Sequence, residues 1–139
     1  MDTLDTPVRE VMTGSVRTVD GEVSAAEVAE VLVSEGIGSV VVSGDSAEAA
    51  GIVTKTDIVD GVRDGMDPET TPVSALMSSP PVTVSAGATL QTAVDRMAAN
   101  GLKRLLVEDG GDVTGIVTTT DVVADLSPDL DAIVGMFAE

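Results

Sequence analysis

The chain has 139 residues, 43% of them hydrophobic, with a mean hydropathy of +0.31. It is too apolar for a disordered acidic tail, and its length suits one ordinary domain or two very small ones sharing a core. Asp and Glu total 24 against seven Lys and Arg, a formal net charge of −17, so phosphate backbones and anionic headgroups repel it and neither nucleic acid nor a membrane surface is expected as a partner.

Cys and His are both absent, which removes disulfides, thiolate nucleophiles, the usual zinc sites and imidazole triads. The acids are spread along the whole chain, only Lys55 and Lys103 are lysines, and large apolar residues are few, with no Trp, no Tyr and one Phe. This composition resembles that of proteins from salt-loaded cytoplasm, where molar salt shortens the screening length to about 3 Å and tames self-repulsion. The start, Met1-Asp2-Thr3-Leu4-Asp5, has no basic and apolar leader, and no run reaches transmembrane length. A cytoplasmic, halophilic protein is therefore expected.

Taken in order, the elements come twice. Arg17-Thr18-Val19 reads as a short strand. A helix follows, with Ser24 and Glu27 as a capping-box signature and Val28, Val31 and Leu32 on one face. Ser39 to Val42 and Gly51 to Val53 read as buried strands, and a second helix opens at Thr54. Gly65 to Pro72 reads as a linker. Then Val82-Thr83-Val84 is a strand, Leu90, Ala93, Val94 and Met97 mark a helix closed by Asn100-Gly101, and strands at 104–107 and 113–117 lead to a helix opening at Thr118. Ser127-Pro128-Asp129 starts a last helix with Leu130, Ile133, Val134 and Phe137 on one face, expected to cap the core.

The duplication is literal. Val11-Met12 returns as Leu76-Met77, Thr18-Val19 as Thr83-Val84 and Gly36-Ile37 as Gly101-Leu102, each offset by 65. Gly51-Ile52-Val53-Thr54-Lys55-Thr56-Asp57-Ile58-Val59 returns as Gly115-Ile116-Val117-Thr118-Thr119-Thr120-Asp121-Val122-Val123, offset by 64. The fold class is thus α/β (α+β), two tandem β-α-β-β-α repeats. A unit this small buries little surface alone, so the repeats are expected to pack through their sheets with pseudo-two-fold symmetry. The boundaries are 1–64 for the first repeat with its N-terminal segment, 65–72 for the linker, 73–126 for the second repeat and 127–139 for the C-terminal helix.

Two copies ending in Gly-hydrophobic-Val-Thr-x-Thr-Asp, preceded by Val11-Met12-Thr13 and Leu76-Met77-Ser78, resemble a tandem pair of cystathionine-β-synthase (CBS) domains, a standalone Bateman-type module. The resemblance spans about residues 8 to 126. It implies clefts between the repeats that bind an adenosine-containing ligand: AMP, ADP or ATP, with S-adenosylmethionine or NAD as further candidates. It also implies that Asp57 and Asp121 accept bonds from ribose hydroxyls, and that Thr54 and Thr118, with Thr56 and Thr120, offer hydroxyls to phosphate or ribose. The adenine would lie against Val16-Arg17-Thr18 or Pro81-Val82-Thr83, with Ile37, Ile52, Leu102 and Ile116 as apolar walls. Lys103 and Arg104, at a strand position where the first copy has Gly38-Ser39, are implied phosphate ligands, and Lys55 lies inside the first motif. Arg17, Arg63 and Arg96 read as peripheral, solvated or paired at the surface.

The residues support these roles on their own chemistry. A helix opening at Thr54 or Thr118 presents unpaired N–H groups and a positive dipole end to an anion. A carboxylate accepts two hydroxyl bonds, as a ribose diol requires, and the glycine before each motif allows close backbone approach. Thr-x-x-Asp is equally a helix cap. The leading expectation is a regulatory, energy-sensing module, not an enzyme. It needs no cofactor, forms a homodimer as the family commonly does, and signals in trans to a separate effector protein, since no residues remain for a fused one. The alternatives are an assembly module with empty clefts and a metal-dependent nucleotide-processing enzyme using Asp57 or Asp121 as base.

Overall fold

The computed structural model describes residues 3–14, 16–44 and 49–126; the stripe from Leu130 to Phe137 lies outside them. The chain divides into two compact units. One is Arg17–Pro81, and the other joins the described part of Met1–Val16 to that of Val82–Glu139.

In the first unit β1 (Thr18–Asp20), α1 (Ala25–Glu35), β2 (Ser39–Ser43), β3 (Ala49–Thr54) and α2 (Lys55–Arg63) follow in order, and a 3-10 turn at Val73–Ala75 comes after them. In the second unit the same order recurs as β4 (Thr83–Ser85), α3 (Leu90–Asn100), β5 (Arg104–Asp109), β6 (Asp112–Thr118) and α4 (Thr119–Leu126). The 3-10 turns Thr3–Asp5 and Val8–Glu10 belong with them. Each sheet has three strands, in the orders β1-β2-β3 and β4-β5-β6, the first pair parallel and the second antiparallel. Among the described residues no helix is long and apolar enough to cross a membrane.

Side-chain caps and left-handed glycines set the helix ends, at Ser24 and Gly101 as expected and at Thr89 and Gly36 besides. Ser24 accepts the Glu27 N–H at 3.1 Å; only the serine half of that capping box is made. Thr89 does the same for Thr92 at 3.2 Å. Gly36 and Gly101 close α1 and α3 with φ of 65°, a left-handed turn that a side chain resists.

Alternation along the strands sorts the two sheet faces. Val40, Val42 and Val53 meet Val28 and Leu32 of α1 in one core. Leu105, Val107 and Val117 meet Leu90 and Met97 of α3 in the other. Each core also takes a valine from the segment that leads into the opposite repeat. Val73, at the start of the second repeat, is fully buried in the first core, and Val8, at the start of the first repeat, is fully buried in the second.

These leading segments act as straps. Val73 N–H donates to Val23 O at 2.7 Å and Ala25 N–H to Thr71 O at 2.9 Å; in the second unit Val8 N–H donates to Ala88 O at 2.8 Å and Leu90 N–H to Thr6 O at 2.9 Å. Farther along, Ser78 and Ile52 exchange backbone bonds of 2.9 and 3.2 Å, and Thr13 and Ile116 exchange bonds of 2.8 and 3.0 Å. Each strap thus adds a short fourth rung beside β3 or β6.

Candidate functional site

Strand register gathers the candidate residues of each copy at one end of its sheet. Ser39 faces Thr54 across β2 and β3, Val41 N–H donates to the Arg17 carbonyl at 2.8 Å, and Lys55 N–H donates to the Gly38 carbonyl at 3.1 Å. In the second copy Arg104 faces Thr118, Leu106 N–H donates to the Val82 carbonyl at 3.2 Å, and Thr119 N–H donates to the Lys103 carbonyl at 2.9 Å. The entry of β1 or β4, the start of β2 or β5, and the junction of third strand and helix therefore converge. On the sheet face turned away from the core, Thr18 lies in register with Val41 and Ile52, and Thr83 with Leu106 and Ile116.

The Thr-x-x-Asp motifs form complete capping boxes. Thr54 N–H donates to Asp57 Oδ2 at 2.8 Å, and Asp57 N–H to Thr54 Oγ1 at 3.2 Å. The second copy repeats this with Thr118 and Asp121 at 2.9 and 3.1 Å. A capping role leaves chemistry over. Each box uses one carboxylate oxygen, Oδ2, and each threonine hydroxyl keeps its own proton to donate. All four residues are half-buried, so a ligand can reach them without crossing the core.

Charge distinguishes the copies. Burial pushes the Asp121 carboxyl above its ordinary value of 3.8, opposed by its hydrogen bonds with the Thr118 backbone and hydroxyl and by the nearby Arg104 guanidinium. Arg104 is half-buried at the start of β5, while Lys103, just before it, is exposed. In the first copy Ser39 stands in Arg104's place and is buried. Lys55 is half-buried as the first residue of α2, where the second copy has exposed Thr119. Thr56 is exposed and Thr120 half-buried, each in the first turn of its helix.

Other candidates are engaged elsewhere. Arg17 pairs with Glu35 at 3.4 Å, Arg63 with Asp60 at 3.3 Å and Asp64 at 3.2 Å, and Arg96 Nη1 donates to the Thr83 carbonyl at 2.7 Å. Ile52 and Ile116 lie on the site face of their sheets, whereas Ile37 and Leu102 pack against the two cores.

The glycines before the motifs have a role the sequence did not disclose. A Cβ on Gly51 would lie 2.6 Å from the Ser78 carbonyl oxygen and 2.8 Å from Met77 Sδ; on Gly115 it would lie 2.6 Å from the Thr13 carbonyl oxygen and 2.7 Å from Met12 Sδ. The close backbone approach that these glycines permit is that of the chain's own straps. A signal for the straps does stand in the sequence: Thr6-Pro7-Val8 returns as Thr71-Pro72-Val73, at the same offset of 65 as the rest of the repeat.

Comparison with known proteins agrees with this architecture. The family model for the CBS domain matches residues 8–64 and again 73–127. An uncharacterized protein of Methanopyrus kandleri is 36% identical over 117 residues, 83% of this chain, and the chain spans 57% of that relative's length. The crystal structure of an uncharacterized conserved protein from Pyrococcus horikoshii superimposes with a TM-score of 0.81 at 28% identity, covering 88% of this chain and 92% of that one. The CBS domain pair of protein MJ0100, solved in complex with 5′-methylthioadenosine and S-adenosyl-L-methionine, shares the fold with a TM-score of 0.80 at 19% identity, covering 89% and 98% of the two chains. Two family matches in register with two copies of one β-α-β-β-α unit lead to one conclusion: the chain belongs to the CBS-domain family and carries a tandem pair of CBS domains.

Proposed function

We propose that this chain is a regulatory module that binds adenosine-containing ligands at the sheet ends of its CBS domains and signals in trans to a separate effector protein. One observation carries the reading. The same half-buried Thr-x-x-Asp box, with one carboxylate oxygen outside the capping bonds, stands at a helix N-terminus in both copies. A ribose diol suits that oxygen, the helix end suits a phosphate, and Ile52 or Ile116 offers an apolar surface to a base. The nucleosides bound by the MJ0100 pair support the ligand class. Arg104 and Lys103 favour a phosphorylated ligand in the second copy, within the AMP, ADP and ATP class. Val59 and Val62, 65% and 54% exposed on α2, are apolar surface that a homodimer would cover.

The completeness of both capping boxes favours a second reading, an assembly module whose sheet ends stay empty, because the motif stabilises its helix without any ligand. The chain's missing aromatics separate the two. With no Trp or Tyr, a bound adenine dominates the near-ultraviolet spectrum of the natively purified protein. The regulatory reading predicts an adenine band that leaves with a small molecule on denaturation, identified by mass spectrometry. A protein that carries no such band, and that binds no nucleotide on titration in high KCl, contradicts it.

A further inference from the structure

We infer that Met12 and Met77 are sites of reversible oxidation, and that converting either thioether to its sulfoxide loosens the strap that carries it. The chain holds six methionines and no Cys, His, Trp or Tyr, so the methionine sulfurs are its side-chain atoms open to oxidation by a hydroperoxide. Of the described four, Met97 is 4% exposed in the second core, whereas Met12, Met66 and Met77 are half-buried, within reach of a small peroxide. Met12 and Met77 hold equivalent places, offset by 65. Each lays Sδ and Cγ against the strand glycine of its own unit, Met77 on Gly51 and Met12 on Gly115, where even a methyl group would overlap the sulfur. Met66 differs: it meets Gly61 of α2 through Cε and Cγ.

With hydrogen peroxide the step is a two-electron oxygen transfer. A sulfur lone pair attacks one peroxide oxygen, the O–O bond breaks as the S–O bond forms, and the second oxygen leaves as water with both protons. Sulfur is oxidised and the peroxide reduced. The product is bulkier and polar, with an oxygen that seeks a hydrogen-bond donor. Met77 packs on the first core and Met12 on the second, so a sulfoxide there gives up apolar contact. The strand backbone beneath the glycine leaves it no depth to settle into. Beside each methionine stands a backbone rung, Ser78 with Ile52 and Thr13 with Ile116. Ser78 and Thr13 are themselves exposed, so the apolar anchor next to each rung is the methionine that precedes it. A chain without cysteine thereby gains a response to peroxide at two matched positions.

The test treats the folded full chain with graded hydrogen peroxide in high KCl, maps the oxygen gained by each methionine by mass spectrometry of its peptides, and follows amide hydrogen exchange. Met12 and Met77 are expected to gain one oxygen before Met97 does. Exchange at the rung amides of Thr13, Ile52, Ser78 and Ile116 is then expected to quicken about fourfold to tenfold, the factor that losing one or two methylenes' worth of apolar burial brings. Methionine sulfoxide reductases A and B, one for each epimer, are expected to restore it. Met12→Leu together with Met77→Leu, which keeps the side-chain volume, is expected to abolish the quickening, and Met66→Leu to preserve it. Oxidation of Met12 and Met77 no sooner than Met97 overturns the inference. So does unchanged rung exchange in the oxidised protein, or the same quickening in the double leucine variant. The first two readings use the wild type alone and decide the matter even where the leucine variants do not fold.

Discussion

The two copies share a backbone plan and differ in what they hang on it. Both strap a Met-(Thr/Ser) segment over a glycine of the third strand, and both close a Thr-x-x-Asp box on the following helix. Yet the first copy buries Ser39 where the second sets Arg104 beside Asp121, and the first buries Ala25 at the start of α1 where the second buries Leu90 at the start of α3. Shared features are those the fold needs: a rung for the strap and a cap for the helix. Features that diverged are charge at the sheet end and bulk in the core, which vary without altering the frame.

Making the copies alike in the core has the largest expected effect. Leu90→Ala gives α3 the residue α1 already has, but in a cavity built for leucine, and is expected to cost about 2–5 kcal/mol, read by denaturant unfolding in high KCl. An unfolding free energy unchanged by Leu90→Ala means that the second core closes around the smaller residue.

Gly51→Ala and Gly115→Ala come next, at about 1–3 kcal/mol each, because each Cβ meets an unyielding backbone carbonyl as well as a methionine side chain. Equal costs show the two straps to be equivalent; a harmless Gly115→Ala shows the second strap to be looser than the first. Thr54→Ala and Thr118→Ala each remove a cap and are expected to cost about 1 kcal/mol, again alike in the two copies and measured in the same way.

The subtlest contrast is electrostatic. The folded-state pKa of Asp121 is raised, chiefly by burial, so its contribution to stability is fully present below the ordinary value of 3.8 and is lost as pH rises through the raised folded value. Asp121→Asn keeps an acceptor for the Thr118 N–H and never ionises. Its stability relative to wild type should therefore improve as pH climbs through that window. Paired melts across the acid range check this, and a pH-independent difference contradicts it.

Much of the frame is legible in the chain itself. Ser24 and Thr54 announce helix starts, Gly101 announces a helix end, and the repeat offset transfers each reading from one copy to the other. These signals are local, within four residues of the groups they satisfy. The straps were not legible as straps because their partners are remote: Thr13 bonds Ile116 and Ser78 bonds Ile52, pairings that no periodicity within a segment encodes. Met12, Met77 and the glycines read as an entry segment and a ligand contour until the register of β3 and β6 brought them together. At the site, the residue types of Asp57, Asp121, Thr54 and Thr118 point to both a cap and a ligand. Only the geometry shows that the cap consumes one carboxylate oxygen of each aspartate.

One nucleoside site per copy, built on that copy's own Thr-x-x-Asp box, is what the proposed function requires. Its most direct test is the binding stoichiometry of the tightest-binding adenosine ligand, measured by calorimetry in high KCl for wild type, Asp57→Ala, Asp121→Ala and the double variant. Two ligands per chain are expected for wild type, one for each single variant and none for the double variant, with all four proteins folded. Undiminished binding in the double variant would place the ligand elsewhere and contradict the claim.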